Sequence, residues 1–569
     1  MKENKVHQQK HPNPMFSRKN IYLMDGEWEI SIDGGAWQKI RVPYCPESAL
    51  SGIGHTDFIG RCRYRKKFTV PEEVKGDRIA LHFGAVDHRA EVYVNGSLAG
   101  SHSGGYTPFS FDVAPLLREG ENLLEVEVTA AVKKNVPTGK QSQKRESFGC
   151  FYTRATGIWQ SVYLEGTPAH FMQYARFVPD VAGCRVRMEV GAVGEEEFSA
   201  VVFYEGKEVG RTAGKFVHKG EFTVDLSEKH LWEVGCGRLY DVELRFGEDT
   251  VYTYFGLRDV RFDGYKFLLN GKSVFQRLVL DQGYYPDGVY TPSSEEVFEQ
   301  DIRRAVGLGF NGARLHQKLF DPKYLCLCDR MGFMVWGEYA SWGMEYYDLD
   351  GLGNFIGEWR EAVERDYNHP SIVVWCPLNE TWNDLDDETK PRDVRFVEAV
   401  YDITKILDKT RPCVDVSGGF HCSRTDIADF HCYEEFDVLK KRMENAIAGK
   451  PDFLNMYREG EGISYGGEPL HLSEFGGIRL NSGKEEGGNA WGYLTANGEE
   501  AFADNYVKTI ELLYGYEQLC GVCYTQLYDI EQEANGFFTY DRQPKFSEKV
   551  MERIRAANEM PAAIEKQNK

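Results

Sequence analysis

The stretch from Ser371 to Glu380, SIVVWCPLNE, decides the fold: an apolar strand that ends in an adjacent asparagine and glutamate. Downstream, residues 393–409 (DVRFVEAVYDITKILDK) carry apolar positions at helical spacing, so a strand is followed by an amphipathic helix. The alternation extends in both directions. Candidate strands are SVFQRLVL (273–280), NGARLH (311–316), FMVWGEY (333–339), SIVVWCPLN (371–379), CVDVSG (413–418), DIADFHCY (426–433), PLHLSEF (469–475) and GVCYTQL (521–527). Helical stretches such as SEEVFEQDIRRAVGLG (294–309) lie between them. Eight strands in about 300 residues, with helices between them, predict a (β/α)8 TIM barrel over 258–569.

Before residue 258 the pattern differs. Residues 1–167 hold short alternating strands (EWEISIDG, RYRKKFTV, RIALHFGAV, AEVYVNGSLAG, NLLEVEVTA), with Asn95-Gly96 as a hairpin signal. Residues 168–257 read the same way (RVRMEVGAV, FSAVVFYEG, EFTVDLS, LYDVELRFG), at the spacing of a seven-stranded sandwich. The expected plan is therefore multidomain, with two β domains and then a barrel.

Composition narrows the function. A net charge of −21 opposes binding to the nucleic-acid backbone or to anionic lipid, both of which need clustered Lys and Arg. No run of 18 apolar residues occurs and residues 1–20 lack a signal-peptide core, so a cytoplasmic protein is expected. Thirteen scattered cysteines fit a reducing compartment. Cys520 and Cys523 form a CxxC, but no second pair supplies the four ligands of structural zinc, and GVCYTQL continues as a buried strand. Neither metal nor cofactor is expected.

Barrel active sites form at the C-terminal ends of the strands. Glu380 follows the fourth candidate strand and Glu474 ends the seventh, so both carboxylates face one mouth. Two such groups about 5–5.5 Å apart can cleave a glycosidic bond with retention, one as acid/base and one as nucleophile. Burial and a neighbouring carboxylate would keep the acid protonated.

The chain resembles glycoside hydrolase family 2 over nearly its whole length. Residues 81–113 (LHFGAVDHRAEVYVNGSLAGSHSGGYTPFSFDV) and 153–166 (TRATGIWQSVYLEG) look like that family's jelly-roll sugar-binding domain, and 255–272 (FGLRDVRFDGYKFLLNGK) looks like its junction into the barrel. The stretch between would be its immunoglobulin-like domain. NHPSIVVWCPLNETW (368–382) resembles the acid/base motif around Glu380, with Asn379 on the sugar 2-hydroxyl, and HLSEFGG (471–477) resembles the nucleophile motif around Glu474.

The resemblance implies further substrate-binding residues: Asp281 and Gln282 after strand one, Arg314 and His316 after strand two, Glu338 after strand three, and His431 and Tyr433 after strand six. Trp491, with Tyr524 and Gln526 on strand eight, would form the floor and wall of the sugar site. It implies an exo-acting enzyme on a carbohydrate substrate, β-galactoside first, with β-mannoside, α-L-arabinoside or galactofuranoside behind it. A homo-oligomer is compatible with that plan, and a catalytically silent carbohydrate-binding protein is the alternative of another class.

Two departures concern the sugar. LVLDQGYYPDG (278–288) replaces the family's usual segment after strand one. Glucuronidases of the family carry an Asn-x-Lys motif before the segment that here reads EQEANGFFTYDRQPK (531–545), and that lysine is missing. A β-glucuronide is then the least expected substrate, unless Lys318 or Arg479 supplies the cation.

Overall fold

The computed structural model describes residues 10–130, 135–381, 392–449, 465–481 and 489–568. Two antiparallel sheets form the N-terminal part. A six-stranded sheet runs in the order Gln38–Val42, Gly26–Ile32, Arg61–Phe68, Asn122–Thr129, Arg89–Val94 and Ser97–Ser103. Facing it is a sheet of four, Ile21–Leu23, Val162–Thr167, Arg78–Phe83 and Phe109–Asp112. Alternation drives the packing: Leu124, Val126 and Val128 point inward onto Tyr64 and Val92, while Glu125 and Glu127 face outward to Arg63. The hairpin at Asn95-Gly96 forms as expected, both residues adopting positive φ (53° and 80°) as a two-residue turn demands.

The second β region departs from the seven expected strands. It has five, Phe171–Asp180, Arg185–Tyr204, Lys207–Asp225, Tyr240–Phe246 and Asp249–Phe255. Strands that read as separate are two long ones of 20 and 19 residues. The register shift between Gly191 and Glu195 interrupts their pairing, so the long strand meets Phe171–Asp180 with its first half and Tyr240–Phe246 with its second. Phe177 stacks on Phe255, which closes the core between the first and last strands.

The C-terminal part is a parallel barrel. Seven strands pair in the order fourth (Ile372–Cys376), third (Met334–Glu338), second (Gly312–Leu315), first (Gln276–Asp281), eighth (Leu519–Thr525), seventh (Leu470–Gly476) and sixth (Ala428–Cys432). The fifth expected strand is not a continuous one. Cys413 and Ser417 make isolated parallel bridges to Trp375 and Asn379, and the Asp429 carboxylate accepts from the Gly418 amide in place of a backbone ladder to the sixth strand. All thirteen cysteines are free, and Cys520 and Cys523 lie buried in the eighth strand, as a structural reading of the CxxC requires. Among the described residues no helix is long and apolar enough to cross a membrane.

The N-terminal part reaches over the barrel mouth. Its segment after residue 135 is stitched there by Thr138, whose amide donates to Trp342 O at 2.8 Å, and Tyr106, Tyr152 and Trp159 join the barrel's apolar core. At this junction Glu358, on the helix Leu349–Asp366, accepts from Tyr339 Oη at 2.7 Å. Burial, only partly offset by that bond, pushes its carboxyl up to about 8. Folded Glu358 thus keeps a proton that the unfolded chain releases near 4.5, and the stability this provides is lost as pH rises through that interval. Glu358→Gln is expected to unfold at a higher temperature than the wild type at about pH 8, by on the order of 3 kcal/mol, and to match it near pH 5. Thermal melts at the two pH values test this, and an equal difference at both would refute it.

Candidate active site

Arg314, fully buried at the end of the second strand, organises the mouth. Its Nε donates to Glu338 at 2.7 Å, its Nη1 to Glu474 at 2.8 Å, and its Nη2 to the Asn379 side-chain oxygen. One rigid fork therefore fixes the ends of the third, fourth and seventh strands together. Asn379 Nδ2 has no partner among the described residues, which leaves a buried donor for a ligand hydroxyl.

Glu380 and Glu474 face each other across His431. One oxygen of each glutamate and one His431 nitrogen lie within 4.8 Å of one another. His431 Nδ1 is 2.8 Å from Glu380 and 3.3 Å from Glu474, and its Nε2 is 3.0 Å from Ser417 Oγ. Tyr433 Oη donates to the second Glu474 oxygen and lies 3.0 Å from Thr525 Oγ1. Glu380 sits where the chain turns through positive φ, 49° there and 53° at Thr381. It is also the more open of the two, with 15% of its side chain exposed against 6% for Glu474.

Electrostatics separate the pair. Burial works to raise the Glu474 pKa, but His431 and Arg314, with Lys140 farther off, override it and hold the carboxyl at about 2. Glu474 is therefore an anion with both oxygens hydrogen-bonded. Burial opposes a charge on His431, yet the two glutamates raise its pKa, whereas burial keeps His316 neutral, 2.9 Å from Glu338. Glu380, His431 and Glu474 have the donor types and mutual spacing of a metal site. Arg314 and Tyr433 already occupy the Glu474 oxygens, and a raised His431 pKa favours a proton over a cation there.

Several expected ligand contacts turn out otherwise. Asp281 stabilises its own turn, accepting from the Gly283 amide at 2.9 Å and Tyr324 Oη at 3.1 Å. Tyr524 is core, packed against Phe475, Tyr506 and Phe537, because on a strand it points opposite to its neighbour Thr525. Lys318 is caged by Tyr290, Tyr285, Trp159 and Phe320 and donates to the Gly283 and Tyr290 carbonyls. Arg479 lies on Ile478–Asn481, a strand outside the barrel ladder. Trp491 donates to Gly149 O at 2.9 Å and meets Tyr493 edge-on, and it is Tyr493 that stacks on Tyr433 with ring centroids 3.5 Å apart.

Other groups at the mouth carry no strand-end signal. Tyr152, from the N-terminal part, donates to Glu533 and accepts from Gln282 Nε2 at 3.0 Å. Asn535 Nδ2 donates to Glu533 at 3.0 Å, and Gln526 Nε2 donates to Asn535 at 2.9 Å. Glu533 is buried, with no ion pair among the described residues. Cys150 and Tyr493 both lie within electrostatic reach of Glu533 and of Glu380. Lys140, also buried, lies over the rings of Trp342 (5.3 Å) and Tyr152 (5.8 Å).

Comparison with known proteins identifies the family. A family model described as "Glycosyl hydrolases family 2, TIM barrel domain" matches residues 264–555, and one described as "Glycosyl hydrolase 2 galactose-binding domain-like" matches 37–162. A β-galactosidase of Thermoanaerobacter pseudethanolicus is 28% identical over 406 residues, covering 66% of this chain and 50% of that protein. The chain thus spans about half the length of that relative. A β-glucuronidase of Streptococcus agalactiae is 26% identical over 518 residues, covering 78% and 83%. Among solved structures, the β-D-glucuronidase of Dictyoglomus thermophilum superposes with a TM-score of 0.77 at 21% identity, over 95% of this chain and 97% of that one, which establishes a shared fold.

Proposed function

Because the chain belongs to glycoside hydrolase family 2, we propose that it is a retaining, exo-acting β-glycosidase that releases a terminal neutral sugar, β-galactosides first. The observation that carries this reading is the Glu380–His431–Glu474 cluster, whose glutamate oxygens approach within 4.8 Å. That spacing suits direct attack and leaves no room for the water that inversion interposes. In this reading Glu474, held ionised by Arg314 and Tyr433, attacks the anomeric carbon as Glu380 protonates the departing oxygen. Glu380 then takes a proton from water, which hydrolyses the glycosyl-enzyme. Asn379 Nδ2 is the donor to the sugar 2-hydroxyl.

Glu533 supports a neutral sugar. It stands in the segment where the family's glucuronidases carry their lysine, so a uronate would meet a buried carboxyl group in place of a cation. A second reading, a β-glucuronidase, is favoured by Lys140, a cation at the same mouth, and by the names of several relatives.

Hydrolysis of 4-nitrophenyl glycosides of both anomers separates the two. Wild type is expected to prefer the β-D-galactoside to the β-D-glucuronide. Glu533→Gln should narrow that preference at least tenfold, and Lys140→Met should leave galactoside selectivity in place. A wild-type preference for glucuronide that Lys140→Met abolishes would establish the second reading and overturn the first.

A further inference from the structure

A second cavity, of about 360 Å³, lies where three parts of the chain meet, and it shares no lining residue with the Glu380–Glu474 cluster. Strands Arg78–Phe83 and Val162–Thr167 form one wall, Phe171–Asp180 the next, and the ends of helices Pro322–Met331 and Leu349–Asp366 close it. Its volume is within the range of small-molecule sites, about 300–1,000 Å³.

The lining has an excess of unused donors. Gln160 is 5% exposed, and its Nε2 has no hydrogen-bond partner among the described residues. Arg365 gives its Nε to Asp366 and its Nη2 to Phe320 O and Asp366, but its buried Nη1 has no hydrogen-bond partner among the described residues. Arg78 lies over the Phe171 ring at 4.7 Å, and its half-buried guanidinium makes no ion pair among the described residues. The acids nearby are engaged elsewhere. Glu165 is held by Arg18 at 2.8 Å, with His82 at 3.5 Å, and Asp321 caps the Lys323 amide.

Buried donors left without an acceptor are costly unless one fills the space between them. Guanidinium groups match the oxygens of carboxylates and phosphates in shape. Beside them, the Tyr163 ring, stacked on His82 at 4.5 Å, and Phe171 offer flat faces for a carbon frame. The geometry points to a binding site for a small organic oxyanion, a phosphate ester or carboxylate on a hexose-sized frame, held by Arg78, Gln160 and Arg365.

Titration calorimetry of the full chain with inorganic phosphate, glucose 6-phosphate, D-glucuronate and glucose tests this. At least one organic anion is expected to bind, more tightly than glucose or inorganic phosphate. Arg78→Met and Gln160→Ala should each weaken it tenfold or more while hydrolysing an aryl glycoside at the wild-type rate, which also reports that both variants are folded. An anion bound at the catalytic cluster would instead compete with the aryl glycoside and keep its affinity in both variants. That result, glucose binding as well as the anions, or binding by none of the four would overturn the assignment.

Discussion

Glu474→Ala is expected to slow hydrolysis of an aryl β-glycoside by about four to six powers of ten, since in the proposed mechanism the group removed forms the covalent bond. The loss has a stereochemical signature. With the carboxylate gone, azide can enter the space it leaves and attack the anomeric carbon from below, giving the α-glycosyl azide. Glu380→Ala should behave differently. With a 2,4-dinitrophenyl leaving group, which needs no protonation, the glycosyl-enzyme still forms, and azide then captures it as the β-glycosyl azide. For less activated leaving groups the loss should be about 10²- to 10⁴-fold. Product analysis by NMR distinguishes the roles that the 4.8 Å cluster suggests. Azide products of the opposite configuration, or near-wild-type turnover in Glu474→Ala, would sink the assignment.

The barrel was legible because its parallel strands are covered on both sides and so read as apolar runs, with the first polar residue after each run marking the mouth. The same logic failed where the chain is locally polar. CVDVSG became two bridges because the Asp415 side chain bonds His421 and the Cys422 amide, while Ser417 is drawn to His431 and Ser473. Rank along a strand also leaves open which way a side chain turns. Asp281 faces Tyr324 on a helix while Gln282 faces Tyr152, and Tyr524 faces the core while Thr525 meets Tyr433. Lys140 and Tyr152 were invisible for another reason. They come from the N-terminal part, and Tyr152 meets Glu533 across 381 residues of sequence. Periodicity within a segment carries no trace of such a contact.

Arg314→Met should produce the second large effect, and its sign in pH separates electrostatics from packing. The guanidinium is fully buried between Glu338 and Glu474, so its loss leaves two carboxylates in a dry site with their fixed cation gone. Breaking a buried ion pair on one side costs about 3–5 kcal/mol, which a lowered melting temperature at neutral pH would register. Glu474, whose depressed pKa contributes stability above the unfolded value of 4.5 that is lost as pH falls toward about 2, would forfeit much of that contribution. Because the proposed attacking form is the Glu474 anion, the acid limb of kcat/KM should move to higher pH as the Glu474 pKa rises. Arg314→Lys supplies a charge but not the three-way fork to Glu338, Glu474 and Asn379. It should hold the acid limb near its wild-type position while kcat still falls, since the glutamate is ionised but no longer aimed. Were Arg314 only a packing element, both variants would lose stability with the acid limb unmoved, so a pH–rate profile of the methionine variant superimposable on the wild type would remove Arg314 from the electrostatics of the nucleophile.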